Sequence, residues 1–139
     1  MLATQPRADA AIRYEEQEIR SADPVALIVK VHDIALASAA RARAAIAAGD
    51  PAARGVAVNR LGRCLDLLRS SLDMEAGAEV SRDLDRLYDY LLRRVTEGHL
   101  HSDDEAFAAV ATHLGEMASA WREVASRRPE PIAAAGGSR

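Results

Sequence analysis

The chain has little of what most functional classes require. Its one cysteine, Cys64, excludes an internal disulfide and any zinc site built from several thiolates. Aromatic residues make up only 4% of it, and every basic side chain except Lys30 is an arginine. Basic and acidic residues nearly balance, 18 against 21, so the formal net charge is −3. A nucleic-acid binder would carry a basic face, and this balance gives no support to one. No apolar run approaches the roughly 18 residues that a membrane-spanning helix needs. The N-terminus intersperses Gln5, Pro6, Arg7 and Asp9 where a secretory signal would hold unbroken apolar residues. The economical reading is a soluble cytoplasmic domain with no nucleic-acid and no membrane partner.

What is present points to helices. Of the 139 residues, 30 are alanine and 49% are apolar, enough to bury a core without disulfides or metal. Ala, Leu, Arg and Glu favour helices, whereas strands would want more Val, Ile, Thr and aromatics. Residues 1–22 have no sustained apolar period and read as a mobile arm or short helical piece, with Ile12, Tyr14 and Ile19 as its bulky groups after Leu2. Asp23-Pro24 and Asp50-Pro51 are helix starts, an N-cap acceptor followed by a residue whose missing N–H costs nothing there.

The first helix, about 24–48, carries a stripe of Leu27, Val31, Ile34, Ser38, Ala42 and Ala45, and Gly49 ends it. The second, about 51–72, shows Val58, Leu61, Leu65, Leu68 and Leu72. Residues 70–77 break the period and connect to a third helix, about 79–98, striped with Val80, Leu84, Leu87, Leu91 and Val95. Ser102 and Glu105 form a capping box for a fourth, about 103–127. Its inward residues are Phe107, Val110, Ala111, Leu114, Met117, Ala118, Trp121 and Val124. Short connections between matched helices predict an all-α antiparallel four-helix bundle over 23–128, followed by a disordered tail over 129–139.

Bundles often host metals, but no Glu-x-x-His pair is present. His99 and His101, beside Asp103 and Asp104, read as a solvated polar turn; His32 and His113 read as surface or boundary residues. Cys64 lies on the apolar side of its helix and reads as a small core hydrophobe. No nucleophile, acid–base pair or phosphate loop stands out, so no catalytic residue, cofactor or metal is expected. What does stand out is Tyr88 and Tyr90, outside or at the margin of the third stripe and beside Arg93 and Arg94. Aromatics and arginine together mark binding surfaces, although a tyrosine at a bundle edge with a wet hydroxyl is the plainer account of either alone.

Several strings, in order, resemble the flagellar secretion chaperones of the FliS family. They are the connection Leu68-Arg69-Ser70-Ser71-Leu72-Asp73-Met74-Glu75-Ala76-Gly77-Ala78-Glu79-Val80 and the stretch Asp83-Leu84-Asp85-Arg86-Leu87-Tyr88-Asp89-Tyr90-Leu91-Leu92-Arg93-Arg94. Tyr14 with Ile19, Ala22-Asp23-Pro24 with Leu27-Ile28, Gly49-Asp50 and Ala120-Trp121 complete the pattern, which runs from about Tyr14 to Val124. It departs from the family on the first helix, where Leu-Tyr-Asp-Gly reads Val31-His32-Asp33-Ile34, in the connection, where Gly-Gly reads Gly77-Ala78, and ahead of Leu84, where an asparagine is Asp83.

The resemblance implies a cytoplasmic, non-enzymatic chaperone, monomeric or homodimeric. It would cover the C-terminal segment of flagellin and assist its delivery to the flagellar type III export apparatus. It further implies a client-binding set of Tyr14, Ile19, Leu27, Val31, Leu72, Leu87, Tyr88, Leu91 and Arg94. A helical adaptor of another secretion system, or a metal-binding bundle using His99 and His101, are the contrasting readings.

Overall fold

A computed structural model of the chain describes residues 23–72 and 78–127. Four helices account for them: α1 Pro24–Ala48, α2 Pro51–Ser70, α3 Ala78–His101 and α4 Asp104–Arg127. Both Asp-Pro signals operate as the sequence predicts. Asp23 accepts from the Val25 amide at 3.2 Å and Asp50 from the Ala53 amide at 3.0 Å. Gly49 closes α1 with φ +65°, a left-handed conformation that glycine adopts at no steric cost. Two turns this tight force their helices antiparallel. Each helix packs on its sequence neighbours and α1 packs on α4, which closes the ring of a four-helix bundle.

The α3–α4 turn differs from the expected capping box. Asp103 caps α4, its carboxylate accepting from the Glu105 amide at 3.0 Å. Ser102 instead takes a left-handed φ of +50° in the turn, where its hydroxyl accepts from Arg54 at 3.0 Å. Nor does α3 stop at Gly98. It continues to His101, because Gly98 is a packing residue. A methyl group added there would lie 2.7 Å from the Phe107 ring. The missing side chain lets α4 bring a phenyl group against the α3 backbone.

The core is asymmetric. Helix α1 contributes small groups over most of its length (Ala35, Ala39 and Ala42 are fully buried), and the bulk comes from the other three helices. Leu61, Leu65, Leu91, Phe107, Val110 and Leu114 are all at 0% exposure. Cys64 lies among them, as expected of a thiol acting as a small hydrophobe. The α1 stripe is wider than its predicted line. Ile28, His32, Ala35 and Ala39 are buried, whereas Leu27 and Ile34 are half-buried at its margin. An α1 that touches two helices needs a broad face, and alanine marks such a face poorly.

On α3 the stripe is rotated. Tyr88, Leu91, Val95 and Gly98 are buried at spacings of three, four and three; Leu84 and Leu87 are half-buried and Val80 is exposed. Val124, read as inward on α4, is also exposed.

Three substitutions test this packing by urea unfolding. Leu65→Ala should cost about 2–5 kcal/mol, as for a leucine replaced by a cavity. Gly98→Ala should cost about 1–3 kcal/mol through the Phe107 clash, despite alanine's better helix propensity. Gly115→Ala on α4, where an added methyl group meets nothing, should stabilise by about 0.5–1 kcal/mol.

Candidate binding cleft

The two ends of the bundle are built differently. At the end holding the α1–α2 and α3–α4 turns, polar side chains tie the helices together. Arg43 of α1 forms a two-pronged ion pair with Asp104 of α4 at 2.8 and 3.0 Å. The Asp104 carboxyl is thereby held below its ordinary range, first by the hydrogen bond from Arg43. Arg54 of α2 donates to His99 Nδ1 at 3.1 Å and to the Ser102 hydroxyl. His99 thus joins a structural hydrogen-bond network. Among the described residues, no three His, Cys, Asp or Glu side chains are grouped to hold a metal ion.

Among the described residues, the opposite end, where α1 and α3 begin and α2 and α4 finish, is lined by apolar side chains around an open space. Between the helices lies a cleft of about 60 Å³ lined by Ile28, Leu68, Ser71, Leu72, Val80, Leu84, Tyr88 and Trp121. The alanine run of α1 gives way here to Val25, Ile28 and Val31, of which Ile28 lines the cleft. Beyond the cleft the surface stays apolar, since Val80 is 55% and Val124 42% exposed. Charges ring it. Arg69 of α2 reaches Asp85 at 2.9 Å and Asp89 at 3.8 Å on α3, and Arg122 of α4 pairs with Asp33 of α1. Ser81 donates to the Leu72 carbonyl at 3.1 Å, tying the start of α3 to the end of α2.

Tyr88 forms the floor of the cleft and is not the edge residue its place in the sequence predicts. It is 1% exposed, and burial raises its phenol well above the ordinary value. Its hydroxyl lies 3.4 Å from Nε2 of His32, which is itself fully buried and not a surface or boundary histidine. His32 Nδ1 is 2.8 Å from the Ile28 carbonyl. A carbonyl can only accept, so Nδ1 carries the proton and Nε2 offers its lone pair to the tyrosine. Tyr90 behaves as a seam residue, 40% exposed with its ring edge-on to His113 at 5.7 Å.

Of the client-binding residues implied by resemblance, Leu72 and Tyr88 meet in the cleft. Leu27 and Leu87 are half-buried and packed on the core, and Val31 and Leu91 are buried within it. Arg94 lies away from the cleft, about 9 Å further along α3 than Tyr88 at 1.5 Å per residue. It is bound to Glu97 at 2.8 Å, with its Nε buried and unpaired. Tyr14 and Ile19 fall outside the described residues. The site set omitted Ile28, Leu68, Val80, Leu84 and Trp121. The up-down topology was the signal for them, because it brings the end of the fourth helix beside the start of the first.

Two broader depressions flank α1. One, about 410 Å³, runs along the α1–α2 face over Ala26, Val29, Ile34 and Ala37, beside Arg41 and Arg60. The other, about 520 Å³, runs over Ala40, Ala44, Ile46 and Ala47 beside the Arg43–Asp104 pair. No helix among the described residues is long and apolar enough to cross a membrane.

If Tyr88 is buried as described, Tyr88→Phe should cost about 0.5–1.5 kcal/mol for the lost hydrogen bond. Tyr88→Ala should cost about 3–5 kcal/mol, like other buried aromatic truncations. Urea unfolding curves that place both within about 0.5 kcal/mol of wild type would return Tyr88 to the surface.

Comparison with known proteins agrees with this architecture. The family model described as flagellar protein FliS matches residues 7–128. The chain is 34% identical over 113 residues to the flagellar secretion chaperone FliS of Salmonella typhimurium, covering 81% of this chain and 84% of that one. It is 30% identical over 106 residues to FliSB of Pseudomonas aeruginosa, covering 76% and 84%. Identity to the Vibrio cholerae FliS is 28% over 112 residues, covering 78% and 80%. The chain belongs to the FliS family of flagellar secretion chaperones.

Proposed function

We propose that this FliS-family chain is a cytoplasmic export chaperone that covers the C-terminal segment of a flagellin, keeps it from polymerising early and assists its delivery to the flagellar type III export apparatus. The observation that carries this reading is the apolar cleft between Leu72, Leu84, Tyr88 and Trp121, at the end of the bundle opposite the Arg43–Asp104 and Arg54–His99–Ser102 ties. An amphipathic client helix binds by setting apolar anchors into such grooves. The cleft's 60 Å³ is about twice one water's share of liquid volume, so it seats a single anchoring side chain. Ordering a disordered client costs several kcal/mol, which one anchor does not offset. The rest of the client therefore needs tracks, and the depressions flanking α1 offer them: floors of alanine, valine and isoleucine, with charged side chains of both signs at their rims.

The N-terminal arm enters this reading through composition. Tyr14 and Ile19 stand in the polar run Arg13-Tyr14-Glu15-Glu16-Gln17-Glu18-Ile19, just ahead of α1. Two apolar groups cannot make a core alone, so the arm docks on the bundle and competes with the client. The client's apparent affinity is then reduced by the fraction of closed protein.

Titrating a flagellin C-terminal peptide into wild type and into a Tyr14→Ala/Ile19→Ala double variant tests both statements. Saturable binding is expected for both proteins, as tight or tighter in the variant, with amides of residues 10–20 losing exchange protection as peptide is added. Absence of binding would remove the client. Weaker binding by the variant, with arm protection unchanged in wild type, would make the arm a fixed part of the contact surface.

A further inference from the structure

His32 is the most unusual buried group in the molecule. It is at 0% exposure in the half of α1 nearest the cleft, and it makes two hydrogen bonds. Both of its partners line the cleft: Ile28 on one wall and Tyr88 at the floor. We infer that His32 is a positioning residue for the cleft: anchored on the Ile28 carbonyl, its neutral ring accepts the Tyr88 hydroxyl and holds that side chain at the floor, and protonation of the ring releases it.

The geometry dictates the direction. With the proton on Nδ1 directed at the Ile28 carbonyl, Nε2 accepts from the Tyr88 hydroxyl. The added proton in the imidazolium occupies that Nε2 lone pair. The phenol must then turn its own O–H elsewhere, into an apolar floor of leucine and isoleucine. Among the described residues the carboxylate that attracts the new charge is Asp33 on its own helix, exposed and already paired with Arg122. Arg122 of α4 in turn repels an imidazolium, and burial outweighs the attraction. From α3 the facing group is the neutral Tyr88, and the buried titratable group of α2 is the Cys64 thiol. The shortest way to hydrate the charge is through the cleft, past Tyr88. Protonation therefore frees the Tyr88 side chain at the floor and admits water, at the expense of the shape that seats an apolar anchor.

The sense of the pH dependence follows. Burial lowers the His32 pKa below its ordinary 6.5, so the unfolded or opened form binds the proton more readily than the closed one. The closed cleft is fully favoured above about pH 6.5 and loses ground as pH falls toward the lowered value.

This inference rests on the client reading for its consequence but not for its test, because the single tryptophan of the chain, Trp121, lines the cleft. Trp121 emission in the free protein is followed from about pH 7.5 to about pH 5, bracketing histidine titration, with helicity monitored in parallel. The expected result is an emission change with a midpoint below 6.5 and helicity retained, absent from His32→Gln and from His32→Tyr. No change, a change shared by both variants, or one that coincides with loss of helix would overturn the inference. With a flagellin C-terminal peptide, wild-type affinity should fall over the same range, because the peptide favours the closed cleft and the proton the opened one. The affinity of either variant should stay nearly level. Unchanged wild-type affinity at the two pH values would also overturn the inference. A peptide that binds at neither pH, with the His32-dependent Trp121 change intact, would instead remove the client and leave the positioning role standing.

Discussion

The close approach of α1 to its two neighbours is the constraint from which the rest of the bundle follows. Ala35, Ala39, Ala42 and Ala45 present almost no side-chain volume, so α2 and α4 come in near the α1 backbone along that half of the helix. The space a larger residue would fill is taken from the other side by Leu61, Leu65, Phe107 and Val110. Dispersion in such a core depends on contact density, so small residues on one helix are as much a packing device as large ones on another. Gly98 repeats the device on α3, where the Phe107 ring occupies the place of a side chain. The cleft opens at the start of α1, beyond the alanines, where Ile28 lines it.

The distribution of polar groups agrees with this division of the bundle. Arg43–Asp104 and the Arg54–His99–Ser102 cluster join helices at the turn end, where backbone and small residues already meet. Exposed pairs of this kind contribute little to stability, and their effect is to fix orientation at an end already closed by packing. At the cleft end, Arg69–Asp85 and Arg122–Asp33 lie outside the opening and bracket it without crossing it. An apolar floor inside a ring of charge is the arrangement of a protein–protein contact, with a dry centre and a wet rim.

Much of the fold is legible in the sequence because strong local signals recur at every boundary but one. Two Asp-Pro starts, Gly49 and the leucine spacing of α2 lead directly to the observed helices. The errors lie where the signal was chemically ambiguous. Alanine is compatible with either face of a helix, so the α1 stripe was drawn through Leu27 and Ile34 and missed Ile28, His32 and Ala35. On α3, Leu87 and Tyr88 are adjacent large residues and only one can face inward; hydropathy favoured the leucine, whereas packing chose the ring that could reach His32. Serine and aspartate both make good caps, so Ser102 displaced Asp103 in the reading, and Gly98 looked like a terminator because contact with Phe107 is a tertiary fact. The cleft was the least legible feature. Its walls come from all four helices, and the stretches 68–72 and 80–88, which carry most of it, show no sign in sequence of the Ile28 and Trp121 that complete it.

The exchange of Leu-Tyr-Asp-Gly for Val31-His32-Asp33-Ile34 brings these points together. Asp33 retains its place because it anchors Arg122 across α1 and α4, an interaction of position and charge that does not depend on its neighbours' identity. His32 faces the interior, where a tyrosine in its place would keep an aromatic ring and one hydroxyl, but would not change charge near neutral pH. Substituting an imidazole there preserves the volume of a ring while making the floor of the cleft a proton acceptor. A buried polar group is tolerated only when its hydrogen bonds are satisfied, and His32 satisfies both of its nitrogens through residues of the cleft itself. The cost of burying it is therefore tied to the cleft's shape: whatever moves Tyr88 leaves Nε2 unpaired, and whatever protonates Nε2 deprives the Tyr88 hydroxyl of its acceptor. With that pair as the floor of the cleft, the coupling joins the stability of the bundle to the shape of its apolar opening.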